Sequence, residues 1–123
     1  MNEIADSVAE IRAAGLNVMV DLHTIPGGDA RPASIERVLA DNAAFDRYID
    51  VAARFAARFA KTEGVALELI NEPVIDCEPG QNRWPDMIAR LHGAARKAAP
   101  DLPLVVTAAC WGDAERWPAC RKA

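Results

Sequence analysis

Four residues of this chain have the types and the setting for work on a substrate. Glu72, in the run Asn71-Glu72-Pro73, is an acid–base group, and His23 ends the run Asp21-Leu22-His23. Asn71 can donate and accept hydrogen bonds, and Trp111 offers a flat apolar face with one N–H. Each ends, or directly follows, a short apolar run rich in strand formers. In an extended strand, side chains alternate, so Met19, Asp21 and His23 share one face and Val18, Val20 and Leu22 the other. In the next run Glu68, Ile70 and Glu72 share a face, with Leu67, Leu69 and Asn71 opposite unless a bulge re-aims them. When the apolar set packs against helices, His23 and Glu72 stand together at the carboxyl ends of two strands. Two ionisable groups at matching heights make a candidate acid–base site.

The elements that must position them follow from the apolar period. Residues 3–14 place Ile4, Val8 and Ile11 at helical spacing, and Gly15 ends that helix. Residues 16–23 read as a strand, and the Pro- and Gly-rich stretch from Thr24 to Pro32 as a loop. The longest helix covers 42–61, with Phe45, Ile49, Ala52, Phe55 or Ala56, and Phe59 on one stripe. A strand over 65–70, a loop over 73–85, a helix over 84–99 closed by Pro100, and a strand over 102–110 complete the pattern. Helix and strand alternate, which calls for a parallel sheet of α/β type. Gly27-Gly28 lacks the GxGxxG spacing of a dinucleotide site and opens no helix. Chemically loaded residues at the ends of successive strands fit instead a partial (β/α)8 TIM barrel of about three βα units.

Bulk properties narrow the class. The chain has 123 residues, 51% hydrophobic and 26% charged, which is the balance of one folded domain. A net charge of −4 argues against nucleic-acid and anionic-membrane partners. Arg47, Arg54, Arg58 and Lys61 fall at helical spacing among Ala and Phe, as on a solvated helix face. The first residues lack the basic and apolar regions of a signal peptide, and localisation stays open. Cys77, Cys110 and Cys120 are odd in number and lack zinc-site spacing, so free thiols are expected. Asp76, Glu78 and Asp113 read as solvated loop residues. Glu68 and Asp21 read as buried structural carboxylates that need partners.

The stretches GLNVMVDLHTIPGG (15–28), VALELINEP (65–73) and LVVTAACWG (104–112) resemble the third, fourth and fifth strands of glycoside hydrolase family 5, the cellulase-like retaining β-glycosidases. The resemblance runs to about Glu115. It divides the chain into a partial catalytic domain, 1–115, and an irregular tail, 116–123. By resemblance Glu72 is the general acid/base, Asn71 holds the 2-hydroxyl of the sugar being cleaved, and His23 lines the site. Trp111, just past a strand, is placed to stack on a sugar ring. No cofactor or metal is implied, and the partner is β-glucan or a related polysaccharide. Retaining cleavage takes two carboxyls about 5–5.5 Å apart. In the family the nucleophile is a Glu on the seventh strand, which has no counterpart here. The expectation is therefore a piece of an endo-β-1,4-glucanase-like enzyme, inactive alone. Alternatives are a mannanase, a galactanase, or an inactive carbohydrate-binding fragment. Open sheet edges, with Met19, Ile70 and Val106 uncovered, predict self-association.

Overall fold

The computed structural model describes residues 2–23, 25–26 and 32–116. Helix α1 (Asn2–Ala13) ends at Ala14 and Gly15, whose φ of 81° closes the turn at no steric cost. Strand β1 (Val18–Asp21) follows. Within the stretch read as loop, two-residue strands β2 (Ile25–Pro26) and β3 (Pro32–Ala33) pair antiparallel. A helix not foreseen in the sequence, α2 (Ile35–Ala40), then begins at Ser34, whose hydroxyl accepts from the Arg37 N–H at 3.3 Å. Asp41 ends α2 and starts α3 (Asn42–Phe59) by accepting from the Ala44 N–H at 2.8 Å. Strand β4 (Val65–Glu68), helix α4 (Trp84–Ala98) and strand β5 (Leu104–Val105) complete the main elements.

The sheet is parallel, in the order β1-β4-β5. Val18 pairs with Val65 and Asp21 with Glu68, so the two strands reach their carboxyl ends level. One face of this sheet is dry. Val20, Leu22, Val65, Leu67 and Leu69 meet a stripe on α3 (Phe45, Tyr48, Ala52, Ala56, Phe59) and one on α4 (Trp84, Met87, Ile88, Leu91, Ala95). Those positions recur every three or four residues, as one helix face requires. Tyr48 belongs to the stripe although the sequence reading passed over it.

The other face is only partly covered. Met19 is 56% exposed, as expected of an inner-face residue, and Val106 is half-buried. Ile70 departs from expectation: it is fully buried, because the chain leaves β-geometry after Glu68 and turns Ile70 inward with Leu69. Among the described side chains of α1 only Val8 is buried, while Ile4 and Ile11 are each about two-fifths exposed. Among the described residues no helix is long and apolar enough to cross a membrane. Of the foreseen tail, 116–123, Arg116 ends a 3-10 turn (Ala114–Arg116), and residues 117–123, Trp117 and Cys120 among them, lie outside the described residues.

The expected self-association would use the outer edges of β1 and β5, which pair with no further strand among the described residues, and would cover Met19, at about 25 cal/mol per Å² of apolar surface removed from water. Sedimentation velocity at low micromolar concentration is expected to show oligomers, reduced in Met19→Lys. A single monomeric boundary with a sharp near-ultraviolet tryptophan spectrum would contradict this.

Candidate active site

The carboxyl ends of β1 and β4 are held by one side chain. The Tyr48 hydroxyl, buried on α3, lies 2.5 Å from the Leu22 carbonyl oxygen and 2.9 Å from that of Leu69. A phenol has one proton, so the two carbonyls share a single donor. Leu22 directly precedes His23, and Leu69 stands two residues before Asn71. Burial first, then the negative charges of Asp21 and Glu68, pushes the Tyr48 phenol well above its ordinary range.

Beyond this tie the site residues come together. His23, Asn71, Glu72 and Trp111 line one cleft of about 290 Å³, with Ser34, Ile35, Glu36 and Val74. They come from the ends of three successive strands, the placement of a barrel active site. His23 Nδ1 donates to the Asp21 carboxylate at 3.0 Å, and the Asn71 amide nitrogen is 3.4 Å from the same ring nitrogen. A carboxylate oxygen accepts, so in the shorter contact Nδ1 is the donor, and Nε2 takes no part in it. Asp21 is thus not the buried structural carboxylate expected. It lies on the exposed inner face, and its partner is two residues on, just past the end of β1.

Glu72 is exposed, with a φ of 45°, and Trp111 is 58% exposed, with a φ of 63°. Left-handed conformations in non-glycine residues are uncommon and cluster at functional sites. Glu68, one level below, is buried as expected. Its partner is Thr107, whose hydroxyl donates to it at 2.7 Å from the segment just after β5. Asp76 corrects another expectation. It is buried, and its carboxylate accepts from the Trp84 N–H at 2.6 Å, anchoring the start of α4. Trp84 itself is a packing residue, its indole N–H donating to the Thr107 carbonyl at 3.2 Å.

The cysteines are a further correction. Cys77 and Cys110 form a disulfide, with Cα atoms 4.8 Å apart. An odd count argues only that one thiol is left over. Cys77 and Cys110 are 33 residues apart and meet because their loops follow adjacent strands. A second hollow, of about 500 Å³, opens at the amino ends of the strands between Asn17, Lys61, Glu63 and Asp101. It lies at the opposite end from His23 and Glu72, and barrel chemistry belongs to the carboxyl end. Of the foreseen loop from Thr24 to Pro32, Thr24 and residues 27–31 lie outside the described residues.

Parallel βα units with an acid, an imidazole, an amide and an indole around one cleft at the strand ends describe a portion of a (β/α)8-barrel hydrolase. The chain belongs to the cellulase family, glycosyl hydrolase family 5, whose family model matches residues 1–121. A glycoside hydrolase of known structure is 25% identical, with a TM-score of 0.68, over 85% of this chain and 34% of its own length. Thermotoga maritima Cel5A, solved with mannotriose, is 16% identical, with a TM-score of 0.76, over 99% of this chain and 37% of that one. The catalytic domain of Thermobifida fusca endoglucanase Cel5A is 23% identical, with a TM-score of 0.61, over 90% and 32%. The chain thus spans about a third of the length of these proteins. No curated protein sequence matches it.

Tyr48 is the sole tyrosine, so absorbance at 295 nm reports its ionisation alone. Its raised folded-state pKa contributes stability that is intact below the unfolded value of about 10 and lost as pH rises above it. Tyrosinate is therefore expected to appear only as the chain unfolds, and ionisation with the fold intact would refute the buried tie. Tyr48→Phe is expected to cost about 1–3 kcal/mol in urea unfolding, since two buried carbonyls lose their donor.

Proposed function

We propose that this chain supplies the acid/base side of an endo-β-1,4-glucanase-like active cleft working by the retaining route. The observation that carries this reading is the convergence of His23, Asn71, Glu72 and Trp111 on one cleft. In this reading Glu72 protonates the leaving glycosidic oxygen and later deprotonates the attacking water. Asn71, beside it, hydrogen-bonds the hydroxyl next to the reacting carbon. His23, with Nδ1 committed to Asp21, presents Nε2 to the sugar, and Trp111 stacks on a ring face.

Double displacement needs a second carboxylate as nucleophile, about 5–5.5 Å from the first. By resemblance that group stands on a seventh strand, and the sheet described here has three. An acid that keeps its proton near neutral pH also needs an enclosed setting, whereas Glu72 is exposed in this chain. Both points support reading the chain as a binding surface with half of a catalytic pair, expected to be inactive by itself. A mannan is the substrate to test beside β-glucan, because a similar structure, Thermotoga maritima Cel5A, has been solved with mannotriose and with cellobiose.

Calorimetric titration with cellotriose and mannotriose is expected to show weak binding to one or both. Asn71→Ala and Trp111→Ala should each weaken it by about 1 kcal/mol. Chain and Glu72→Gln variant should release reducing ends from β-1,4-glucan at the same background rate. Turnover abolished by Glu72→Gln would overturn the inactivity, and Glu36, the other carboxylate among the described residues lining the cleft, would be replaced next. Failure of both sugars to bind would sink the glycan reading.

A further inference from the structure

The cleft wall that carries Trp111 is made of two loops stitched together. After β4 the chain runs through Pro73 and Ile75 to Cys77, and after β5 it turns through Ala109–Gly112. The Cys110 N–H donates to the Ile75 carbonyl at 3.0 Å, and the Trp111 N–H to that of Pro73 at 3.2 Å. The Cys77–Cys110 disulfide closes the same junction covalently. Cys110 and Trp111 are consecutive residues with φ of 50° and 63°. Side-chain-bearing residues hold this conformation in succession only when their surroundings over-determine it. The two hydrogen bonds to the neighbouring loop, the disulfide and the Asp113 N–H, 3.2 Å from the Ala109 and Cys110 carbonyls, are those surroundings. Gly112, with a φ of 83°, continues the turn.

We infer that Cys77 and Cys110 are positioning residues: their disulfide holds Trp111 in the cleft, so sugar affinity there depends on the redox state of this pair. The use of the clamp rests on the glycan reading of the cleft, but its mechanics do not. Reduction by a dithiol delivers two electrons and two protons, breaks the S–S bond, leaves two thiols and oxidises the dithiol to its own disulfide. The left-handed turn then keeps its hydrogen bonds to Ile75 and Pro73 and the Asp113 N–H on its own Ala109 and Cys110 carbonyls, but no covalent tie to the neighbouring loop, and Trp111 samples positions out of the cleft. A ring fixed beforehand loses less freedom on binding than one that must be ordered by the sugar. The clamp therefore works in an oxidising compartment and is released where thiols are kept reduced.

The test uses the chain with Cys120→Ser, so that no third thiol can exchange, oxidised and after dithiothreitol. Amide hydrogen exchange is read by NMR at Cys110 and Trp111, and at Leu67 and Leu69, whose N–H groups donate to the Pro103 and Val105 carbonyls. Protection at Cys110 and Trp111 should fall by about tenfold or more on reduction, with Leu67 and Leu69 unchanged. Cys77→Ala in the same background should reproduce the reduced pattern without reductant. Cellotriose affinity should weaken by about fivefold on reduction, and Trp111→Ala should erase that difference. Equal protection in both states overturns the clamp. So does collapse of protection at all four amides, which would make the disulfide a support of the whole sheet. If cellotriose binds neither state while exchange responds as stated, the clamp stands and the glycan reading falls.

Discussion

The arrangement of the cleft depends on one shared proton. The ladder between β1 and β4 ends at the pair Asp21 and Glu68, yet the residues that line the cleft come later, at 23, 71 and 72. Past the ladder's end, the Tyr48 hydroxyl takes over by holding the Leu22 and Leu69 carbonyls. Buried carbonyls without a donor are costly, so neither strand end can drift without losing this contact. Because Tyr48 sits in the apolar stripe of α3, the packing of that helix sets the height at which His23 and Asn71 emerge. Site geometry and core packing are here the same constraint.

A second set of contacts ties β4 to β5. The Leu69 N–H donates to the Val105 carbonyl, Thr107 satisfies the buried Glu68, and the Trp84 indole holds the Thr107 carbonyl. Glu68 shows why such a chain of partners is needed. A buried carboxylate without a hydrogen bond is strongly unfavourable, and one donor from the neighbouring segment makes its position tenable. Asp76 does the same for the first free N–H of α4. Each buried acid thereby fixes the path of a segment that leads into or away from the cleft.

How much of this was legible in the sequence depended on the range of the interaction. Local period gave the helices and strands, and Asp-Leu-His and Asn-Glu-Pro at strand ends gave the residues that converge. The parallel sheet followed from the alternation of elements. What escaped were features set by contacts between distant residues. Tyr48 has no local signal that sets it apart, because its value lies in a hydroxyl aimed at carbonyls 26 and 21 residues away. The pairing of Cys77 with Cys110 required knowing that their loops are neighbours. Asp76 sat in a polar, Pro-Gly-containing stretch, and nothing local distinguishes a carboxylate that caps a helix eight residues on from a solvated one. Helix α2 is only six residues long, too short for a periodic signal, and its start depends on the Ser34 cap.

The conformation of Glu72 follows from what the cleft asks of β4. A regular strand sends neighbouring side chains to opposite faces, so it cannot present both Asn71 and Glu72 to one cleft. Leu67 and Leu69 keep the alternation, but Ile70 is buried beside them, and Asn71 and Glu72 then line the cleft together. The break has to be local and firm. Pro73 supplies part of it, since it has no N–H to continue a ladder. Glu72 supplies the rest by taking a φ of 45°, a conformation that costs on the order of 1–3 kcal/mol for a residue with a side chain. That cost is held in place by the contacts on either side: the Tyr48 tie before it at Leu69, and the Trp111 N–H on the Pro73 carbonyl after it. An acid and an amide at adjacent positions on one side of a cleft are thus the product of a strand that ends at Glu68 and of a left-handed residue, Glu72, just before a proline.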